Sequence, residues 1–213
     1  MAITSRTDPA AASSPKIAIK NQRKMIFMGE SLSPDRLAAM RNIVFVGLMG
    51  AGKTTMGRRL AKRHGLPFID SDQEIERRCG ATIPTIFDLE GEQGFRKRES
   101  KVIADLMQLE GHVVTTGGGA VLAPENRAVL QQGFVIYLDA DPSDLWQRLK
   151  ADTGRPLLTQ SKDPEATLAQ LHQQRDPLYR EIADLIVPTG QASVSVVMRA
   201  IERGLSKAGI SRS

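Results

Sequence analysis

Gly47-Leu48-Met49-Gly50-Ala51-Gly52-Lys53-Thr54 carries the spacing G-x-x-x-x-G-K-T. It follows the apolar run Ile43-Val44-Phe45-Val46 and precedes residues 55–64, whose apolar positions recur at helical spacing. Strand, glycine loop and helix in that order form the context of a phosphate-binding P-loop. Glycines let backbone N–H groups turn inward around phosphate oxygens, and the helix N-terminus adds partial positive charge there. Lys53 is expected to reach the β- and γ-phosphates and the Thr54 hydroxyl to ligate Mg²⁺. Gly50, Ala51, Gly52 and Thr55 complete the nucleotide cradle. A glycine turn that happens to precede a helix is the plain alternative, and eight matching positions with both flanks in agreement argue against it. The stretch therefore reads as nucleotide-binding.

Outward from this loop, apolar strands alternate with amphipathic helices from Asn42 onward. Strands are expected at 43–47, 67–69, 112–116, 134–138 and 184–187, and helices at 53–64, 72–79, 92–109, 125–131, 142–150, 164–180 and 191–207. That alternation predicts right-handed crossovers and an α/β fold with a five-stranded parallel sheet flanked by helices, with ligands at the carboxyl ends of the strands. A chain of 213 residues, 41% hydrophobic and 25% charged, suits one such domain with an appendage. The domain is placed at 42–207, after an N-terminal extension (1–41) and before a short tail (208–213). The extension is rich in Ala, Ser, Pro and Lys and reads as largely disordered, with a short helix at 33–40 capped by Ser33. It also fits, weakly, an organellar transit peptide, against a variable extension that precedes an internal start.

The net charge of +5 resides mostly in that arm. Residues 1–41 hold seven basic and three acidic side chains, +4, which leaves +1 for the body. Nothing in this balance supports a nucleic-acid footprint spread over the body. No apolar run approaches the length of a membrane span, and the first residues lack the apolar core of a secretory signal. The single cysteine, Cys79, excludes an internal disulfide framework, suits a reducing cytosol and reads as a helix-packing residue.

Several other stretches carry polar residues suited to a second substrate. Asp70-Ser71-Asp72 leaves the strand Pro67-Phe68-Ile69, and its two carboxylates are expected to face opposite sides, so they need not share a role. One can face the P-loop magnesium through water and the other an acceptor, although N-capping of the next helix also suits Asp70 or Ser71. Arg96 and Glu99 lie three apart on one helical face, and a guanidinium held by a carboxylate makes a clamp for a substrate carboxylate. Alone, such a pair is more often an exposed surface ion pair. Gly117-Gly118-Gly119-Ala120 ends the strand at 112–116 and permits close backbone approach to a ligand, where a simple turn is the alternative. Arg155, in Thr153-Gly154-Arg155-Pro156, can close over a triphosphate from a mobile loop. Arg175-Asp176-Pro177-Leu178-Tyr179 brings a second anion-binding arginine near a helix interruption. His112 reads as a surface strand residue, and Trp146 as core.

In order and spacing these pieces resemble the shikimate kinase family over about residues 42–205. The resemblance implies a three-layer P-loop kinase fold, with a lid at about 151–163 and a helical substrate-binding segment. It implies transfer of the γ-phosphoryl of ATP to the 3-hydroxyl of shikimate, in the route to chorismate and aromatic amino acids. By the family's motifs, Asp72 contacts the shikimate hydroxyls and acts as base, and Arg96 and Arg175 hold the carboxylate. Gly118, flanked by Gly117 and Gly119, contacts ring hydroxyls, and Glu99 orients Arg96. Thr54, with Asp70 through water, places Mg²⁺. Arg155 is the lid arginine over ATP, and Gln191 is a candidate at adenine. A cytoplasmic monomer, free of membrane and nucleic acid, is the accompanying expectation. The rivals are another small P-loop kinase, for gluconate or a nucleoside monophosphate, and a non-catalytic nucleotide-binding relative. A monophosphate kinase needs more arginines converging on the acceptor, and a degenerate relative predicts loss of Lys53, Asp72 or Arg96, all of which are intact.

Overall fold

The computed structural model describes residues 18–19, 41–150, 161 and 163–210. Its strands are β1 (Ala18–Ile19), β2 (Ile43–Val46), β3 (Phe68–Asp70), β4 (Val113–Thr115), β5 (Phe134–Asp139) and β6 (Leu185–Pro188). Its helices are α1 (Lys53–His64), α2 (Ser71–Cys79), α3 (Ile83–Met107), α4 (Pro124–Leu130), α5 (Pro142–Leu149), α6 (Pro164–Ile182) and α7 (Val194–Lys207). A 3₁₀ turn at Ala120–Leu122 precedes α4.

The sheet order is β1-β6-β5-β2-β4-β3, and β2 through β6 are mutually parallel. Central β2 pairs Val44 with Val114 of β4 on one side and with Val135 of β5 on the other. All four of its residues are buried, which explains a continuous apolar run in place of alternation. Helices form two layers: α1 touches α7 over β4 and β6, while α3, α4 and α6 meet around the 3₁₀ turn. The P-loop and the ends of β3 and β4 thereby converge at the carboxyl edge of the sheet.

A second, smaller core joins Ile75 of α2 to Ile86, Phe95, Val102 and Leu106 of α3 and Val114 of β4. It braces the helical segment beside the sheet, with Cys79 packed against it as expected. Trp146 packs against the main core.

The expected elements are present with shifted ends, and three features differ. Residues 83–90 are helical although no helix is expected between residues 79 and 92. Little of that first stretch is apolar and buried: Ile86 is, whereas Phe87 and Leu89 are 36% and 78% exposed, so periodicity gives no signal. Gly91, at φ 68°, breaks the helical path in the middle of α3. Pro177 does not interrupt α6, which continues to Ile182. In the arm, Ala18–Ile19 adds an antiparallel pair against Leu185 and Ile186 of β6. The helix expected at 33–40 lies outside the described residues. Among the described residues no helix is long and apolar enough to cross a membrane.

Asn42 links three elements at the opposite edge of the sheet. Its buried Nδ2 donates to the carbonyls of Leu106 (3.2 Å) and Leu109 (2.7 Å), and its Oδ1 accepts from the His112 N–H at 2.9 Å. Asn42→Ala leaves buried groups unpaired and should destabilise the fold by about 1–3 kcal/mol in urea unfolding. A loss below about 0.5 kcal/mol, the level of an ordinary surface change, would contradict that role.

Candidate active site

The P-loop closes on α1 through Gly52, whose φ of 94° suits glycine and places it as the helix N-cap. Gly50 and Ala51 form the turn before it, and Thr55 lies exposed in the first turn of α1. The Lys53 ammonium donates to the loop's own carbonyls, Gly47 O at 2.7 Å and Leu48 O at 2.9 Å.

Asp70 ends β3 with its carboxylate shared between two structures. Oδ2 accepts from the Thr54 hydroxyl at 2.9 Å and from the Thr115 hydroxyl at 2.8 Å. Oδ1 caps α2 by accepting from the backbone N–H of Asp72 (3.1 Å) and Gln73 (3.5 Å). Capping and contact with the P-loop therefore coexist in one side chain. Asp70 and Asp72 do diverge, but residues two apart in an extended strand share a face. The divergence arises because the chain passes from strand to helix at Ser71.

The three glycines after β4 are the meeting point of the remaining candidates. A Cβ on Gly117 would lie 2.7 Å from Asp72 Oδ1 and 3.1 Å from Glu99 Oε1. On Gly118 it would lie 3.4 Å from the Met49 N–H nitrogen of the P-loop and 3.7 Å from Arg175 Nη1. On Gly119 it would lie 2.5 Å from Arg96 Nη1 and 2.7 Å from Arg96 Cζ. Any side chain at 117 or 119 would enter space held by these charged groups. Ser71, fully buried, accepts from the Gly117 N–H at 3.3 Å and fixes the start of the run.

Arg96 and Glu99 form a part-buried pair with Nη1–Oε2 at 2.7 Å, and Glu92 approaches the same guanidinium at 3.1 Å. The Glu99 side chain is 1% exposed, against 23% for Arg96, so this is not a solvated surface pair. Burial raises the Glu99 pKa, Arg96 opposes that rise, and the nearby Asp72 adds to it. Burial of Arg96 disfavours its charge, but Glu99 and Glu92 outweigh it and hold the guanidinium above its ordinary pKa. Arg175 is also buried, at 5% exposure, on α6. These charges are arranged for a small anionic ligand: two guanidiniums, a carboxylate and glycine backbone beside a phosphate loop.

The expected acceptor residues Asp72, Arg96, Glu99, Gly117, Gly118, Gly119 and Arg175 thus surround one place, with Lys53, Thr54 and Asp70 adjoining it. Gln191 is exposed in the turn between β6 and α7. Arg155 and most of the expected lid lie outside the described residues. Sequence reading gave no role to Thr115, Tyr179 or Arg148. Thr115 looks like any strand residue until β3 pairs it with Asp70. The Tyr179 hydroxyl donates to Gly118 O, and its place in Arg-Asp-Pro-Leu-Tyr was its one signal. Arg148, on α5, donates to Gly50 O at 3.2 Å, to Thr189 O at 3.3 Å and to Gly190 O. It ties the turn after β6 to the P-loop, and nothing in an amphipathic helix marks it out.

The model of the family described as shikimate kinase matches residues 49–205. The shikimate kinase of Burkholderia thailandensis is 55% identical over 170 residues, 79% of this chain and 92% of that protein. The structure of shikimate kinase from Acinetobacter baumannii in complex with shikimate superposes with a TM-score of 0.74 at 43% identity, covering 82% of this chain and 97% of that one. A gluconokinase from Sinorhizobium meliloti reaches a TM-score of 0.53 at 19% identity over 80% of this chain and 94% of that one, a likeness of fold alone. The chain belongs to the shikimate kinase family of ATP-dependent kinases.

Proposed function

We propose that this chain transfers the γ-phosphoryl of ATP to the 3-hydroxyl of shikimate, giving shikimate 3-phosphate and ADP. The observation that carries the reading is the convergence of Asp72, Arg96, Glu99 and Arg175 on the glycines at 117–119, directly beside the P-loop. The shikimate bound to the Acinetobacter baumannii relative supports the choice of acceptor. Arg96 and Arg175 hold the acceptor carboxylate through charge-assisted contacts, and Glu99 orients Arg96. Asp72 accepts the proton of the attacking hydroxyl as that oxygen bonds to the γ-phosphorus and the bond to the β,γ-bridging oxygen breaks. A loose transition state demands position and neutralised charge more than a strong base. Lys53, now resting on two carbonyls of its own loop, exchanges them for the β- and γ-phosphates. Gly50, Ala51, Gly52 and Thr55 offer backbone N–H groups to the nucleotide. Gln191 lies toward the base, and Arg155 closes over the phosphates.

The oxygen donors Thr54 and Asp70 stand 2.9 Å apart, and their chemistry suits a hard cation such as Mg²⁺. When bound there, the ion neutralises charge on the transferring phosphates. Every acceptor group named comes from one chain, so one copy can supply the whole acceptor site, and a monomer is the proposed working form. The free thiol of Cys79 and the need for ATP fit a cytosolic setting.

A coupled ADP-release assay with shikimate, gluconate and AMP offered separately tests the reading. Turnover with shikimate alone is expected, and turnover with gluconate or AMP but not shikimate would refute it. Asp72→Asn should lower kcat by about 10²-fold or more, the ordinary worth of a positioned base, while ATP affinity stays near wild type. Undiminished kcat would remove Asp72 from the catalytic groups. Gly119→Ala should push the Arg96 guanidinium aside and raise the shikimate KM about tenfold, as expected for one weakened charge-assisted contact. A KM within about twofold of wild type would show that Arg96 can hold the acceptor from a shifted position.

A further inference from the structure

Helix α6 presents Arg175 to the acceptor site and, one residue on, Asp176 to β5. Arg175 Nε is buried without a hydrogen-bond partner among the described residues, and the guanidinium is met by the Tyr179 hydroxyl on the next turn of the same helix, so the seating of α6 sets its aim. Pro177 removes one backbone N–H from the same turn and weakens its internal ladder. A polar cluster holds that turn from the sheet side. Asp176 Oδ1 accepts from the Tyr137 hydroxyl of β5 at 2.8 Å, and Asp176 Oδ2 accepts from Arg180 Nε at 2.8 Å. Arg180 Nη2 continues to Asp139 Oδ2, at the end of β5, at 2.6 Å. Arg180 thus supplies the cation between the two carboxylates, with His172 Nε2 at 3.8 and 3.9 Å from them. On the other side the Tyr137 ring stacks on Tyr179 at 4.9 Å, and the Tyr179 hydroxyl donates to Gly118 O.

We infer that Asp176 is a positioning residue for the acceptor site: held by Tyr137 and Arg180, it fixes the register of α6 on β5 and so the aim of Arg175 and the seat of Tyr179 against Gly118. The inference rests on the proposed role of Arg175 in holding the acceptor carboxylate. Burial works against the Asp176 charge, but hydrogen bonds from Arg180 and Tyr137 outweigh it and lower its pKa, so the anchor stays ionised at neutral pH. A purely stabilising cluster would act on folding and leave acceptor binding alone. A positioning cluster acts through Arg175.

Steady-state kinetics of Asp176→Ala, Asp176→Asn, Arg175→Ala and the double variant Arg175→Ala/Asp176→Ala, each checked by thermal unfolding, separate the two. Asp176→Ala should raise the shikimate KM about fivefold or more, with kcat and the ATP KM within about twofold of wild type. Asp176→Asn keeps one acceptor oxygen for Arg180 and can donate its amide N–H to the Tyr137 oxygen, so it should recover part of that loss. In the Arg175→Ala background the Asp176 substitution should add less than about twofold, because the group it positions is gone. A folded Asp176→Ala enzyme with an unchanged shikimate KM overturns the inference, as does a double variant in which the effects multiply independently. If Arg175→Ala itself leaves the shikimate KM unchanged, the role of Arg175 fails and the positioning inference with it. Should Asp176→Ala not fold, Tyr137→Phe removes one donor from the same carboxylate and is read by the same criteria.

Discussion

The Asp70 carboxylate is the contact on which the site depends. One oxygen receives two hydroxyls, from the first turn after the P-loop and from β4, and the other caps α2. Four donors from three elements therefore meet on one side chain at the carboxyl edge of the sheet. This arrangement sets where α2 begins, and the start of α2 sets where Asp72 points. Phosphate loop and acceptor carboxylate are placed relative to each other through this single group. Charge-assisted hydrogen bonds of this kind are stronger than neutral ones and hold geometry well.

The acceptor side follows a different logic. Glu99 is almost fully buried next to another carboxylate, which is costly unless guanidiniums accompany it. Arg96 supplies one directly, and Arg175 faces the same glycines from α6. The glycines at 117–119 let these charges close around backbone, where any Cβ at 117 or 119 would displace them. The second core, from Ile75 to Leu106, holds α2 and α3 together so that Asp72 and Arg96 share one side. The polar cluster at Asp176 plays the matching part for Arg175. Charge is thus concentrated in the acceptor site by apolar packing on one flank and a sheet-side ion cluster on the other.

Much of this was legible in the sequence. The P-loop declares itself, because its glycines, lysine and threonine have one well-understood use between a strand and a helix. The five parallel strands stand out as short apolar runs alternating with amphipathic helices, Pro67-Phe68-Ile69 among them. Residues 83–90 carry no periodic apolar stripe, because Ile86 is buried while Pro84, Phe87 and Leu89 are exposed, so nothing in the sequence records the helix. Asp70 and Asp72 were assigned to separate roles on a strand argument, whereas their divergence comes from the start of α2. Thr115, Tyr137 and Arg148 carry no local mark. Their importance arises only when β4, β5 and α5 bring them to partners dozens of residues away, and a hydrogen bond across such a distance leaves no pattern in the chain.

The central claim is that a phosphoryl donor and a small carboxylated polyol occupy adjoining halves of one site, registered by Asp70. A crystal structure of the chain with ADP, Mg²⁺ and shikimate measures this most directly. The account predicts the shikimate carboxylate between Arg96 and Arg175, its 3-hydroxyl toward Asp72, and the Lys53 ammonium moved from the Gly47 and Leu48 carbonyls onto phosphate. A carboxylate bound away from both arginines, or a hydroxyl turned away from Asp72, would contradict it.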